Sequence, residues 1–344
     1  MKAVVIHAAH DLRVEDRVPQ AAGPGQVEIA IGAGGICGSD LHYYHEGGFG
    51  VVRVRQPMIL GHEIAGTVTA LGSGVESLVV GDRVAVSPAR PCNACQYCLA
   101  GEQNHCLNML FLGSAMRTPH VDGGFRQQLV ADASQCHKVA DGVSLAEAAF
   151  AEPLAVTLHA INRAGSLLGK RVLVTGCGPI GALCIIAARA HGAREIVATD
   201  VAGKVLEFAT RVGADRTINV ADHPEQLAAY APNKGSFDVM LEASGNTRAI
   251  SSGIDVLRPH GILVQIGVGG DIAVPQSAVG NREVDIRGSF RFADEFGLAV
   301  DLINARRVDV TPLLTATYPV EQAQAAFDIA GDRSQSMKVQ LSFA

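Results

Sequence analysis

Two patterns of hydrophobic positions divide the chain. Up to about residue 145, short runs rich in β-branched residues, such as 27–31 and 83–86, are separated by Gly, Pro and Asp. This pattern predicts an irregular, strand-rich region. From Arg171 onward, strand-like apolar runs alternate with stretches of helical spacing, and such alternation predicts an α/β fold with a doubly wound parallel sheet.

The second region also predicts individual elements. Helical spacing begins near Leu145 and returns late in the chain, which ends in a strand-like segment. The predicted strands are 172–175, 196–199, 238–241, 262–266 and 337–341, and the predicted helices are 179–191, 204–212, 294–304 and 321–330.

Composition limits the classes of protein to consider. The chain has 344 residues, 48% of them hydrophobic, and a formal charge of −6, which indicates a globular protein of two domains. A mildly acidic chain lacks the positive field that attracts nucleic acid, so we expect no nucleic-acid partner. The most apolar window, 172–190, contains Gly176, Gly178, Pro179 and Gly181, so we predict a buried strand, turn and helix and no membrane partner.

The N-terminal segment has no charged n-region, long apolar stretch or small-residue cleavage site. We therefore expect a cytoplasmic protein. In that setting the eight cysteines favour metal or thiol chemistry over disulfides.

Half of the cysteines lie close together in the sequence. Cys92, Cys95, Cys98 and Cys106 form the pattern C-x2-C-x2-C-x7-C, which can place four thiolates around one tetrahedral zinc ion. Four protein ligands leave no position for a substrate, so we predict a structural zinc. Free thiols and an iron–sulfur site are the alternatives.

A second group of residues suggests an open metal site. Cys37 and the pair His62 and Glu63 lie in two glycine-flanked turns, and Glu152 offers another carboxylate. A single Cys or His in such a position is more often a packed core residue than a ligand. Together they match a catalytic zinc, in which three protein ligands leave a position for the reacting hydroxyl.

A glycine-rich turn follows the first strand of the alternating region. Gly176, Gly178 and Gly181, with Pro179 and Ile180 between them, form G-x-G-x-x-G at the start of a predicted helix. The backbone amides of such a turn bind a pyrophosphate, so we predict a dinucleotide site.

Asp200 ends the next predicted strand, where a carboxylate binds the hydroxyls of the adenosine ribose. A helix cap is the alternative role for this residue. A carboxylate there repels a 2′-phosphate, which favours NAD. NADP remains an alternative because Lys204 is close in sequence.

With these motifs in this order, the whole chain resembles the zinc-containing medium-chain dehydrogenases. The segments 35–44 and 288–292 are most similar to the sorbitol dehydrogenase branch of that family. The resemblance implies a GroES-like catalytic domain at 1–154 with a structural-zinc lobe at about 90–108. It implies a Rossmann domain at 155–289 and a return to the catalytic domain at 290–344.

The resemblance also implies roles for the catalytic-zinc residues. Cys37 and His62 are expected to bind the zinc ion. Glu63 and Glu152 are expected to share the remaining position, one directly and the other through water, and the sequence leaves open which does which.

Four further residues acquire expected roles from the resemblance. Ser39 begins a proton relay from the zinc-bound alcohol, and His42 extends it towards solvent; a turn-forming serine and a packed or surface histidine are the alternatives. Tyr43 lines the substrate pocket, and Arg291 reaches both cofactor and substrate. The guanidinium of Arg291 suits a substrate carboxylate.

Segments 111–116, 119–125 and 149–156 are most similar to the L-idonate 5-dehydrogenases of this branch. This implies NAD(P)-dependent oxidation of the C5 hydroxyl of L-idonate to 5-keto-D-gluconate, and the reverse. The alternatives are a dehydrogenase of sorbitol, xylitol or galactitol and a non-catalytic scaffold that binds zinc and NAD. The family also implies a homodimer or homotetramer, with residues 284–287 as an edge strand suited to assembly.

Overall fold

The computed structural model describes residues 1–343. The strands are β1 (Lys2–Ala8), β2 (Asp11–Asp16), β3 (Gln26–Gly35), β4 (Gly48–Phe49), β5 (Val52–Arg53), β6 (Met58–Ile59), β7 (Glu63–Leu71), β8 (Arg83–Val86), β9 (Ala89–Arg90), β10 (Leu110–Phe111), β11 (Gln128–Asp132), β12 (Cys136–Lys138), β13 (Arg171–Thr175), β14 (Glu195–Asp200), β15 (Arg216–Asn219), β16 (Phe237–Glu242), β17 (Leu257–Gln265), β18 (Asp285–Gly288), β19 (Leu314–Pro319) and β20 (Lys338–Ser342). The α-helices are α1 (Gly38–Glu46), α2 (Gln96–Leu99), α3 (Leu145–Ala148), α4 (Ala151–Ala164), α5 (Pro179–Ala190), α6 (Gly203–Arg211), α7 (Pro224–Ala228), α8 (Thr247–Val256), α9 (Gln276–Arg282), α10 (Glu295–Asn304) and α11 (Ala323–Gly331).

A seven-stranded sheet organises the first part of the chain. Its order is β12-β8-β7-β3-β20-β19, and β11 also pairs with β3. Along β3, Val27, Ile29 and Ile31 are buried at alternate positions, because successive side chains of a strand point to opposite faces. The predicted strand-rich region is therefore confirmed.

A second sheet of six parallel strands has the order β15-β14-β13-β16-β17-β18. The central strands are buried on both faces, as expected when helices cover a parallel sheet on either side. The doubly wound parallel sheet predicted from the sequence is thus confirmed. One predicted boundary is displaced, because β17 begins at Leu257 and not near residue 262.

The strand-rich pattern does not predict α1, a helix of nine residues at Gly38–Glu46. Its polar and aromatic composition lacks a clear apolar stripe, and tertiary contacts hold it in place. A carboxylate oxygen of Asp40 accepts the backbone N–H of Cys37 at 3.0 Å, which caps the helix. Tyr43 and Tyr44 are buried, and Gly47 ends the helix with a φ of +67°.

Strand β20 returns the chain to the seven-stranded sheet, and helix α4 contacts both large sheets. The C-terminal strand β20 inserts beside β3 and pairs with it in antiparallel register, with Leu341 opposite Gly34. Helix α4 packs against both β7 and β17, so it links the antiparallel sheet to the parallel one. None of the helices within residues 1–343 has the length and apolarity that a membrane span requires.

Candidate zinc and nucleotide site

The pairing of β3 with β7 brings three metal-ligating side chains together. Gly35 lies opposite Glu63 in this register, and Cys37 follows β3 directly while His62 precedes β7. One ligand atom each of Cys37, His62 and Glu63 lies within 4.8 Å of the other two. A side chain at Gly35 would overlap the Glu63 carboxylate, so glycine is required for this close approach.

Asp40 orients the histidine of this cluster. Its side chain is fully buried, and one carboxylate oxygen lies 3.7 Å from Nδ1 of His62. That contact leaves Nε2 of the imidazole free for a metal ion, an arrangement common behind zinc-binding histidines. Asp40 has no role predicted from the sequence, although its position three residues after the candidate ligand Cys37 could have indicated one.

A buried lysine, which the sequence analysis also missed, neutralises Glu63. Nζ of Lys338 donates to the two carboxylate oxygens of Glu63 at 2.8 and 2.7 Å and to the carbonyl of Ile36 at 3.2 Å. Burial lowers the pKa of Lys338, but the charge and hydrogen bond of Glu63 together with the charges of Cys37 and Glu152 raise it overall. The sequence could have indicated this role, because Lys338 is a charged residue at an inward-facing position of the final strand.

Glu152 reaches the site from the first turn of α4, but it does not belong to the group of ligand atoms within 4.8 Å. It is 6% exposed, and burial raises its pKa to about 8, although the nearby His62 opposes the shift. The charges of His62, Glu63 and Cys37 all act on Glu152, so it remains a candidate for the metal shell beside Glu63.

The donor set fits a zinc ion. Thiolate, imidazole and carboxylate are the ligands that zinc takes in proteins. Burial and the charge of Glu63 raise the pKa of the Cys37 thiol to about 12, and a bound dication reverses this because a coordinated thiol loses its proton. Several acidic groups face a single buried ammonium here, so a dication also balances their charge.

Arg291 and Phe111 form the wall of the site beyond His62. The rings of His62 and Phe111 lie 5.8 Å apart, and the guanidinium of Arg291 stands 4.2 Å from the centre of the Phe111 ring. Burial lowers the pKa of Arg291, while the charges of Glu152 and Tyr43 oppose that shift. Arg291 has a φ of +54°, a conformation that is costly for a non-glycine residue and is often found at functional sites.

Tyr43 lies at the same wall and supports it. Its side chain is 2% exposed, and its phenolic oxygen accepts the backbone N–H of Ala115 at 3.1 Å. Burial raises its pKa. Tyr43 therefore holds the segment around Ser114 and Ala115 in position.

The two candidate relay residues lie one turn apart on α1. Ser39 is close enough to Cys37 for its hydroxyl to lower the pKa of that thiol, although burial dominates. His42 is half-exposed, and its Nδ1 lies 3.2 Å from a carboxylate oxygen of Glu46. Residues three apart share a helix face, so the two side chains run from the cluster towards solvent.

The four clustered cysteines form a second candidate metal site. One sulfur each of Cys92, Cys95, Cys98 and Cys106 lies within 4.8 Å of the others. The sulfurs of Cys95 and Cys98 are 3.6 Å apart, far beyond a disulfide bond and near the separation of about 3.8 Å for two ligands of one tetrahedral zinc. Backbone N–H groups of Ala94 and Cys95 lower the pKa of Cys92 to about 6, which favours the thiolate.

The loop carrying these cysteines contacts the segment that bears Arg291. The side-chain amide of Asn104 donates to the carbonyl of Phe290 at 3.1 Å, and the rings of His105 and Phe290 stack at 5.9 Å. A metal ion that orders this loop therefore also supports the backbone next to Arg291.

The glycine turn adopts the geometry that a dinucleotide needs. Gly176 has a φ of +82°, and a side chain at Gly181 would overlap the Gly176 carbonyl. Gly178 caps α5 with nothing within 4 Å of the position a Cβ would take. Space therefore lies open at the helix N-terminus, where a pyrophosphate binds.

Asp200 lies beside this turn at the end of β14. Its carboxylate accepts the backbone N–H groups of Cys177 at 2.7 Å, Val201 at 2.7 Å and Ala202 at 3.0 Å. A carboxylate offers about four lone-pair sites, so one remains for a ribose hydroxyl. Asp200 thus caps the turn and keeps acceptor capacity for a further donor.

Glu242 is a further residue that the sequence analysis missed. It ends β16, is fully buried, and accepts hydrogen bonds from the backbone N–H groups of Ser244 and Gly245 and from the amide of Gln265. It thereby fixes the loop that packs on Gly176. An acidic residue at the carboxyl end of a parallel strand was the available signal.

We expect Gly178→Ala to weaken NAD binding by about tenfold or more without loss of stability. The added methyl group contacts no protein atom, and the φ of −63° suits any residue. Only a bound pyrophosphate would therefore clash with the methyl group. Calorimetric titration with NADH and thermal unfolding of the free protein measure both effects. Gly280→Ala, at another open position, is the matched control, and an unchanged NADH affinity in Gly178→Ala would contradict the placement.

Two cavities flank the segment 288–291. One of about 320 Å³ is lined by Phe111, Ser114, Arg291 and Cys106 of the four-cysteine cluster, among others, and the ring of Phe111 lies 5.8 Å from that of His62. A larger one of about 720 Å³ lies between the cysteine loop and helices α4 and α10, with His105, His159 and Glu295 in its walls. Of these two cavities, the smaller one has Phe111, the ring beside His62, in its wall.

Comparison with known families finds two matches along the chain. Residues 23–141 match the family described as the alcohol dehydrogenase GroES-like domain. Residues 179–306 match the family described as zinc-binding dehydrogenase. The first match covers the strands and loops that carry the candidate metal sites, and the second covers most of the parallel sheet.

Individual proteins are similar over nearly the whole chain. L-idonate 5-dehydrogenase (NAD(P)(+)) of Escherichia coli K12 is 42% identical over 316 residues, which cover 92% of this chain and 91% of that protein. Sorbitol dehydrogenase of Gallus gallus is 38% identical and covers 98% of this chain and 95% of its own length. The crystal structure of L-idonate 5-dehydrogenase from E. coli K-12 MG1655 superimposes with a TM-score of 0.95 over 99% of this chain and 97% of that one, at 39% identity.

Proposed function

The chain belongs to the zinc-binding dehydrogenases with an alcohol dehydrogenase GroES-like domain and acts with NAD(P) on a polyol or a sugar acid, and from this premise we propose that its substrate is L-idonate. The proposed reaction oxidises the C5 hydroxyl to give 5-keto-D-gluconate and runs in reverse as a reduction. The carbon-bound hydrogen leaves as hydride to C4 of the nicotinamide, and the hydroxyl proton goes to solvent.

The observation that carries the proposal is the position of Arg291. Its guanidinium is stacked on Phe111, next to His62, in a cavity large enough for a small ligand. A planar guanidinium pairs well with a carboxylate, which L-idonate has and a neutral polyol lacks. The similarity to the E. coli L-idonate 5-dehydrogenase supports the same substrate.

The proposed chemistry assigns a task to each side chain. Cys37 and His62 would hold the zinc ion with either Glu63 or Glu152 as the third protein ligand, which would leave one position open for the substrate. A zinc ion there would supply the Lewis acidity that lowers the pKa of the substrate hydroxyl. Ser39 accepts the hydroxyl proton and passes it along α1 towards His42, because a hydroxyl both donates and accepts.

Cofactor preference is part of the proposal. We propose NAD over NADP because the Asp200 carboxylate lies where a 2′-phosphate would place its charge. Lys204, the nearest candidate to receive that phosphate, is paired with Glu207 at 3.0 Å, which favours NAD further.

A neutral-polyol dehydrogenase is the second candidate. It is favoured by the sorbitol dehydrogenase of Gallus gallus, which matches a larger share of this chain than the E. coli relative does. Pockets of one fold differ in few residues, so the fold alone does not determine the substrate.

We also propose a homodimer or homotetramer in the cytoplasm. Strand β18 forms one edge of the parallel sheet, and its Ile286 is 47% exposed. An uncovered edge strand with an apolar side chain is suited to pairing with a second copy. Sedimentation of the purified protein tests the number of subunits.

Initial rates of NADH formation test the substrate. We expect zinc-replete protein to give a higher kcat/KM with L-idonate than with sorbitol, xylitol or galactitol, and a higher value with NAD than with NADP. Because Arg291 pairs with the carboxylate, Arg291→Ala should reduce the rate with L-idonate more than the rate with sorbitol. A higher kcat/KM for a neutral polyol would replace the proposed substrate by the second candidate.

A further inference from the structure

The cavity beside Arg291 contains a second arginine. Arg117 and Arg291 both line the space of about 320 Å³, together with the hydroxyl-bearing Ser114. Arg291 approaches from the segment after β18, and Arg117 approaches from the loop 114–121. Two arginines from distant parts of the chain thus border one small cavity, and Arg117 is also exposed to solvent.

Neither guanidinium forms an ion pair within the described part of the chain, although the charge of Glu152 acts on Arg291 from a greater distance. Within residues 1–343, no carboxylate lies within 4.0 Å of either group. Arg291 donates to the thioether sulfur of Met116 at 2.9 Å, which is a weak acceptor, and Arg117 donates to the carbonyl of Met109 at 3.4 Å. A guanidinium has five N–H donors, so most of this donor capacity remains for a ligand.

The loop that carries Arg117 is held in place. Val121 donates its N–H to the carbonyl of Ser114 at 3.2 Å and closes the loop. The ring of His120 contacts the carbonyl of Arg117 at 2.6 Å and accepts the N–H of Arg55 at 2.9 Å. A loop ordered in this way loses less conformational entropy when it binds a ligand.

We propose that Arg117 and Arg291 together form a subsite for the carboxylate of the substrate, with Arg117 as a specificity-determining residue. The inference rests on the proposed function, since it names how the sugar acid is recognised. The ring of Phe111 lies 5.8 Å from that of His62 in the metal cluster, and the guanidinium of Arg291 stands 4.2 Å from the centre of the same ring. In the proposed pose a sugar acid places its reacting hydroxyl at the cluster and its carboxylate between the arginines.

The test compares two ligands that differ only at C1. L-Iditol is L-idonate with the carboxylate replaced by a hydroxymethyl group. Binding is measured by calorimetric titration of the zinc-loaded enzyme saturated with NADH. Neither alcohol can be oxidised in this complex because the cofactor is already reduced, so the result does not depend on turnover.

We expect Arg117→Gln to lower the ratio of L-idonate affinity to L-iditol affinity by about five- to tenfold. Arg117→Lys should restore part of the ratio, since it keeps the charge but not the planar pair of donors. Arg307→Gln, which removes the same charge from an exposed position outside the cavity, should leave the ratio unchanged. The wild-type ratio should also fall as salt is added.

An unchanged ratio in Arg117→Gln would overturn the subsite, and so would equal losses for both ligands. Tighter, Arg117-dependent binding of sorbitol 6-phosphate than of L-idonate would also overturn it, because the anion would then be a phosphate ester. Assays of L-idonate oxidation distinguish failure of the subsite from failure of the proposed function. Failure to oxidise L-idonate despite a carboxylate preference rejects the function alone, whereas normal oxidation without that preference rejects the subsite alone.

Discussion

Cys37→Ala is expected to reduce kcat/KM for the substrate by at least about a thousandfold, because several kcal/mol of stabilisation of the developing alkoxide depends on the metal ion. The zinc content should fall from two ions to one per chain, since the four-cysteine cluster remains intact. Affinity for NADH should not change, because the glycine turn belongs to the parallel sheet. Steady-state rates, metal analysis and NADH titration measure the three quantities.

Cys136→Ser is the matched control for this substitution. Its thiol is also buried enough for its pKa to rise to about 12, but it lies outside both cysteine-containing clusters. The control should retain two zinc ions and its activity. If Cys37→Ala retained two zinc ions and full turnover, Cys37 would not be a ligand of the catalytic metal.

Lys338→Met is expected to lower the free energy of unfolding by about 3–5 kcal/mol, the typical cost of leaving one partner of a buried ion pair alone. Lys338 and Glu63 have side chains only 3% and 2% exposed, so water cannot replace the lost hydrogen bonds. The methionine retains most of the volume and removes the charge. Urea unfolding of the metal-free protein measures the loss.

The double variant Glu63→Gln with Lys338→Met tests whether the loss of stability comes from the unpaired charge or from other contacts of Lys338. Removing both charges eliminates the unpaired carboxylate, so the double variant should recover a large part of the lost stability. Glu321→Gln is the control, because it breaks the exposed pair with Lys2 and should change stability by less than about 1 kcal/mol. A single variant as stable as wild type would show that the buried pair contributes no net stability.

Local patterns were sufficient for the parallel sheet and the glycine turn. The strands and helices around Gly176 and Asp200 have uninterrupted apolar periodicity, and their predicted bounds differ from the observed ones by few residues. The same patterns failed at α1, whose polar and aromatic residues form a helix only because Asp40 caps it and Tyr43 and Tyr44 are buried. Tertiary contacts decide such segments because their intrinsic helix preference is weak.

The sequence by itself determined which chemistry is available: four closely spaced thiols, a separate Cys and His-Glu pair, and a glycine turn before an acidic residue. Each of these features can be recognised within a short stretch of the sequence, because it consists of residue types at a fixed spacing. Only the tertiary structure decided that Lys338 neutralises Glu63 and that Arg117 and Arg291 share one cavity. The members of each pair are separated by 275 and by about 170 positions. The contact of Lys338 with Glu63 depends on the insertion of β20 beside β3, and the shared cavity of the arginines depends on the return of the chain after β18; no local pattern encodes either.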